Sequence, residues 1–157
     1  MRLTSYTDYA LRTLMYLAMH RDQLVTIQHL ADLHGIAKNH LTKVVHQLGQ
    51  LGFVDTARGR NGGLRLGREP AKINIGDVVR QTEPDFYMAE CFDRSDTGCA
   101  FLPACSLKGV LSAATAAYLQ VLDDVTLEDL IRRKNGRGSD GDSLKRIRVL
   151  SRAETQK

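Results

Sequence analysis

The chain has 157 residues, 43% of them hydrophobic and 25% charged, with a formal net charge of +4. Those values suit one globular domain with an appended element, and no apolar run approaches the roughly 20 residues of a membrane span. The opening MRLTSYTDYALRTLMYLAMH is broken by Asp8 and Arg12 and precedes no small-residue cleavage site, which with three cysteines, an odd count, argues for a soluble cytoplasmic protein.

Residues 3–20 place Leu3, Tyr6, Ala10, Leu14, Leu17 and Ala18 at three- and four-residue steps, one apolar helical stripe. A polar break at Arg21 and Asp22 follows. Thr26 then caps a second helix, IQHLADLH, whose Ile27, Leu30, Ala31 and Leu33 are expected to face inward. Gly35 stops it in a tight turn. A third helix, KNHLTKVVHQLGQLG, sets Leu41, Val44, Val45, Leu48 and Leu51 on one face. Two short helices joined by a glycine turn make a helix-turn-helix. After Gly52 the period changes: FVDTAR and GLRL read as strands, and GRNGG between them is expected to supply the positive-φ residues of a hairpin tip. The predicted fold is therefore mainly α with a small β-hairpin wing, a winged helix-turn-helix. Helical spacing resumes over 73–83, breaks at Pro84, and returns in a long Leu/Ala/Val-rich helix from Ser106 to about Leu122. Thr126 caps a last short helix, LEDLIRR. From Asn135 the chain reads as a linker and a solvated tail carrying Lys145, Arg146, Arg148, Arg152 and Lys157.

Charge placement says more than net charge. The second helix of a helix-turn-helix enters the major groove. Its exposed positions here are Lys38, Asn39, His40, Thr42, Lys43, His46 and Gln47, none of them acidic. Amide side chains suit adenine edges, and lysine suits phosphate or guanine. The hairpin adds Arg58, Arg60, Asn61 and Arg65 beside small glycines, a tip able to approach a backbone or a minor groove. Double-stranded DNA is the partner this bias points to; the competing reading is a winged scaffold for protein contacts. Ala37 stands where Ser or Thr would cap the third helix, so that helix starts uncapped.

All three cysteines, Cys91, Cys99 and Cys105, fall in CFDRSDTGCAFLPAC with spacing C-x7-C-x5-C. No histidine follows His46, so a local Cys3His zinc site is excluded. Spacing alone leaves three readings: an iron–sulfur or zinc site with a distant or oxygen fourth ligand, a thiol redox switch, or incidental thiols.

The opening RLTSYTDYALRTLMYLA, the helix pair through GIAKNHLTKVVHQLGQLGFV, the wing RGRNGGLRLG, the segment INIGDVVRQTEP and the three-cysteine loop together resemble the bacterial iron–sulfur winged-helix transcriptional regulators, from residue 1 to about 133. Leu107 and Lys108 stand where the branch concerned with cluster biogenesis has a histidine, so the chain is most similar to the nitric-oxide-sensing branch. That resemblance implies a homodimer that represses genes from palindromic operator DNA and releases it when nitric oxide nitrosylates the cluster. It implies a [4Fe–4S] cluster, with [2Fe–2S] the alternative, held by Cys91, Cys99, Cys105 and Asp8 of the partner subunit. Arg12, four residues on from Asp8, would orient the carboxylate by an ion pair. The organisation becomes a DNA-binding domain (1–83), a cluster-binding loop (84–105), a dimerisation helix with a short helix (106–133), and a disordered tail (134–157). A regulator of the same fold that responds to iron–sulfur status or to thiol–disulfide chemistry is the main alternative. A small electron carrier would leave the basic wing without purpose. No paired carboxylates, nucleophile–base set or phosphate loop supports an enzyme.

Overall fold

The structure, a computed structural model, describes residues 2–60, 62–93, 99 and 105–132. The expectations placed on Asn61 and on the tail from 134 onward lie outside the described residues. Helix α1 (Ser5–Met19) starts at Thr4, whose Oγ1 accepts the Thr7 N–H at 3.2 Å. It buries the anticipated stripe of Ala10, Leu14, Leu17 and Ala18. Helix α2 (Ile27–His34) is capped by Thr26 and closed by Gly35 at φ 64°, with the Ile36 N–H reaching back to the Ala31 carbonyl at 2.9 Å. Leu33 departs from expectation: it is 52% exposed. In a two-turn helix it stands about 110° around from the buried Leu30–Ala31 direction, too far to reach the core.

Helix α3 (Lys38–Gln50) buries Leu41, Val44, Val45 and Leu48. It ends before Gly52, which takes φ 71°. The Gly52 N–H donates to Gly49 and the Phe53 N–H to Leu48, so two otherwise orphaned carbonyls are satisfied as the chain turns into the wing. Strands β1 (Val54–Ala57) and β2 (Gly63–Leu66) pair antiparallel, Val54 opposite Leu66 and Asp55 opposite Arg65. Among the described glycines of the tip only Gly59 has positive φ, at 110°. Gly62 and Gly63 are required for closeness instead. A Cβ on Gly62 would strike the Ala57 carbonyl, and one on Gly63 would sit 2.9 Å from the Leu24 Cβ. That closeness lets Val25 and Leu64 exchange backbone hydrogen bonds at 3.0 and 2.8 Å, tying the wing to the loop before α2.

Helix α4 (Ile75–Thr82), capped by Asn74, completes the core with Ile75, Val78 and Val79. Helix α5 (Ser106–Asp123) returns to the start of α4, where the Asn74 amide donates to the Asp123 carbonyl at 2.6 Å and Arg80 forks onto the Asp123 carboxylate. Gly76 makes room for that carboxylate. Helix α6 (Leu127–Ile131), opened by the Thr126–Asp129 capping box, drops Leu127 into the core at 0% exposure. By contrast α5 buries no residue, although Leu107 and Val110 are apolar and more than 60% exposed. Among the described residues no helix is long and apolar enough to cross a membrane.

Candidate DNA interface and metal centre

Helix α3 exposes Lys38, Asn39, His40, Thr42, Lys43 and His46. Its N-terminus has no side-chain cap at Ala37, so its first N–H groups and Lys38 make an exposed, positively biased end suited to phosphate. Two of the anticipated contacts are already engaged. The Thr42 hydroxyl donates to the Lys38 carbonyl at 2.9 Å. Gln47 is only half exposed, and its Nε2 donates to the Gln81 carbonyl of α4 at 2.6 Å.

On the wing, Arg58, Arg60 and Arg65 are all exposed. Arg65 faces Asp55 across the ladder at 3.6 Å, an exposed pair that offsets its charge. Arg58 and Arg60 have no ion-pair partner among the described residues, which makes them the stronger candidates. Arg68 is a further wing residue that no sequence motif marks. Its guanidinium lies 4.8 Å over the Phe53 ring and donates to the Leu51 carbonyl at 2.6 Å, bracing the base of the wing against the end of α3. No local motif marks that role, because Phe53 and Leu51 reach Arg68 only once the hairpin has closed.

The cysteine segment lies between α4 and α5. Cys91 sits in a 3-10 turn (Glu90–Phe92), and Cys105 is the N-cap residue of α5. All three thiols are free and half-buried. Lys108, another residue the sequence reading did not assign, lies over the Phe92 ring at 5.7 Å and donates from Nζ to the Cys91 carbonyl at 2.7 Å. One lysine thus pins the Cys91 turn to the helix that begins at Cys105. Within one chain, no three His, Cys, Asp or Glu side chains among the described residues come together as a metal-binding group.

Asp8 lies in the first turn of α1 and is gripped in bidentate fashion by Arg12, Nε to Oδ1 at 3.0 Å and NH2 to Oδ2 at 2.9 Å. Both side chains are about half exposed, so the pair adds little stability and leaves the carboxylate open to a further partner. Burial first, and the Arg12 charge second, hold the nearby His34 imidazole below its ordinary range, with Asp8 opposing them. The donor set fits an iron–sulfur cluster: unpaired thiols for iron, which favours thiolate, and a hard carboxylate on another element.

The family described as "Rrf2: Iron-dependent Transcriptional regulator" matches residues 3–133. The chain is 54% identical over 132 residues to the HTH-type transcriptional regulator NsrR of Shouchella clausii, covering 83% of this chain and 89% of that protein. It is 54% identical over 135 residues to the HTH-type transcriptional regulator NsrR of Bacillus subtilis, covering 85% and 92%. The solved structure of T. potens IscR matches with a TM-score of 0.68 at 23% identity, over 88% of this chain and 94% of that one, a likeness of fold.

Proposed function

The chain belongs to the Rrf2 family, whose members are transcriptional regulators and not enzymes, and from that premise we propose that it is a nitric-oxide-responsive iron–sulfur repressor acting in the cytoplasm. The observation that carries this reading is the state of the cysteine segment: three free, half-buried thiols outside the closed core, on the stretch joining α4 to α5.

Cys91, Cys99 and Cys105 would hold the cluster, of [4Fe–4S] type, with Asp8 of the partner subunit as the fourth ligand. When bound, the cluster supplies iron to which nitric oxide can attach. The chain's own residues supply the rest. Lys108 holds the Cys91 turn against α5. Arg12 orients the carboxylate of Asp8 and competes for it, so that this ligand is the weakest of the four. The apolar α5, none of whose residues is fully buried, supports pairing with a second copy, since Leu107, Val110 and Val121 are each at least half exposed and a partner helix would cover them. A two-fold dimer then sets two α3 helices on the half-sites of a palindromic operator. Lys38, Asn39, His40, Lys43, Arg58 and Arg60 carry the groove and backbone contacts, with Thr42 and Arg65 at their margins; Asn61 is a contact proposed from the sequence alone. Residues 1–83 bind DNA, 84–105 hold the cluster and 106–133 join the subunits, with 134–157 as a tail. A coupling of about 2–3 kcal/mol between the two sites would give a roughly 30- to 150-fold switch.

Anaerobic purification with an absorption spectrum and iron and sulfide counts, before and after nitric oxide, tests this alongside operator affinity. Iron and sulfide in stoichiometric amount, with affinity lost on nitric oxide, is the expected result. Protein without either element, whose thiols instead pair on oxidation, would establish the thiol–disulfide regulator. Cluster-bearing protein with an affinity indifferent to nitric oxide would overturn the sensor.

A further inference from the structure

Apolar packing holds α3 in place but is non-directional, so it leaves the helix free to slide or rotate slightly; directional bonds decide where it stops. Two polar ties reach α3 from the elements that flank the candidate metal ligands. From α1, the Tyr6 hydroxyl donates to the Lys43 carbonyl at 3.0 Å. From α3 itself, Gln47 Nε2 donates to the Gln81 carbonyl at 2.6 Å. Tyr6 lies two residues before Asp8, in the first turn of α1. Gln81 lies in the last turn of α4, directly before the segment that leads to Cys91. Its carbonyl is one of the four that a helix end leaves without an intrahelical partner, so Gln47 supplies a bond the backbone cannot.

The anchors of the two ties are themselves joined. Glu83, the C-cap residue of α4, accepts from the Thr4 N–H at 2.8 Å and from Thr4 Oγ1 at 3.1 Å through a single carboxylate oxygen. Thr4 in turn caps α1. The start of α1 and the end of α4 therefore form one unit, and that unit grips α3 at Lys43 and Gln47.

We propose that Tyr6 and Gln47 are positioning residues through which the joined ends of α1 and α4 set the recognition helix, and that Gln47 acts as this tie rather than as a base contact. The inference rests on the regulatory reading above and deepens it: ligation at Asp8 and the cysteines bears on the same two helix ends that hold these bonds.

Tyr6→Phe and Gln47→Met each remove one donor with little change of volume, and neither residue is a candidate ligand. Each variant is measured for iron and sulfide content, for operator affinity with and without cluster, and for amide hydrogen exchange in α3 with and without cluster, the last in the absence of DNA. The expected result is wild-type iron and sulfide content together with a smaller affinity ratio between cluster-loaded and cluster-free protein. Each tie should account for a roughly fivefold share, the order of one net hydrogen bond. The cluster-dependent difference in α3 exchange should shrink in parallel. A loss of affinity equal in both forms, with the ratio preserved, would return Gln47 to DNA contact and overturn the proposal. A variant that fails to fold leaves the other to decide. Wild-type protein whose affinity ignores the cluster would overturn the regulatory reading and this inference together, an outcome visible before any variant is made.

Discussion

The two halves of the chain are finished to different degrees. From α1 through α4, helped by Leu127, a single chain closes a core in which Leu14, Leu30, Leu41, Leu48, Ile73 and Val78 have no exposure. From the cysteine segment through α5, nothing comparable exists among the described residues: α5 is as apolar as any helix here, yet none of its residues is fully buried. The N-terminal half satisfies its own hydrophobic demand. The second half carries exposed apolar side chains and free thiols, the surface on which the proposed subunit contact and cluster would sit.

Placing a charge on the unfinished face should have the largest effect. Val110→Glu puts a carboxylate on each side of the proposed subunit contact; association, measured by sedimentation, is expected to weaken on the order of 100-fold or more. The folded N-terminal half should be untouched, so an unchanged sedimentation coefficient would place the contact elsewhere. Leu48→Ala is the reciprocal perturbation. It opens a cavity in the closed half and should cost about 3 kcal/mol in denaturant unfolding, with iron-binding capacity at the thiols unaffected.

Acid should also act on the closed half. The His34 pKa is lowered in the fold by burial and by Arg12, so the native state binds a proton less readily than the unfolded chain does. Stability is then present above the unfolded value, about 6.5, and falls as pH drops below it toward the folded pKa. His34→Leu should flatten that fall, and an identical pH slope in the variant would refute the assignment. The smallest expected effect is a gain. Ala37→Ser supplies the missing cap of α3 and should add about 1 kcal/mol, read as a rise in melting temperature of a few degrees. No rise would mean that the start of α3 already finds other partners.

Much of the closed half was legible in the sequence because its signals are local. Thr26 and Thr126 cap the helices they precede, Gly35 closes the helix that Thr26 opens, Gly52 follows the end of α3, and the three- and four-residue spacing of Leu41, Val44, Val45 and Leu48 names the buried face. The candidate metal ligands were legible as residue types, and Asp8 and Arg12 do pair one turn apart, as expected of i and i+4 on a helix. What was not legible turns on how the elements pack together. Leu33 satisfies the helical period but lies beyond the reach of the core, and Gly62 and Gly63 turned out to serve close approach rather than positive φ.

Sequence by itself therefore determined the helix order, the wing, the uncapped and carboxylate-free face of α3, and the crowding of three thiols into one segment. Each follows from hydrogen bonds and side-chain periods spanning a few residues. Only the tertiary structure decided that Gln47 turns toward Gln81, that Arg68 braces Phe53, that Lys108 holds the Cys91 turn, and that Glu83 joins the end of α4 to the start of α1. These bonds link residues 15 to 79 positions apart or depend on a closed hairpin, so they exist only after the apolar faces have packed and brought their donors within reach.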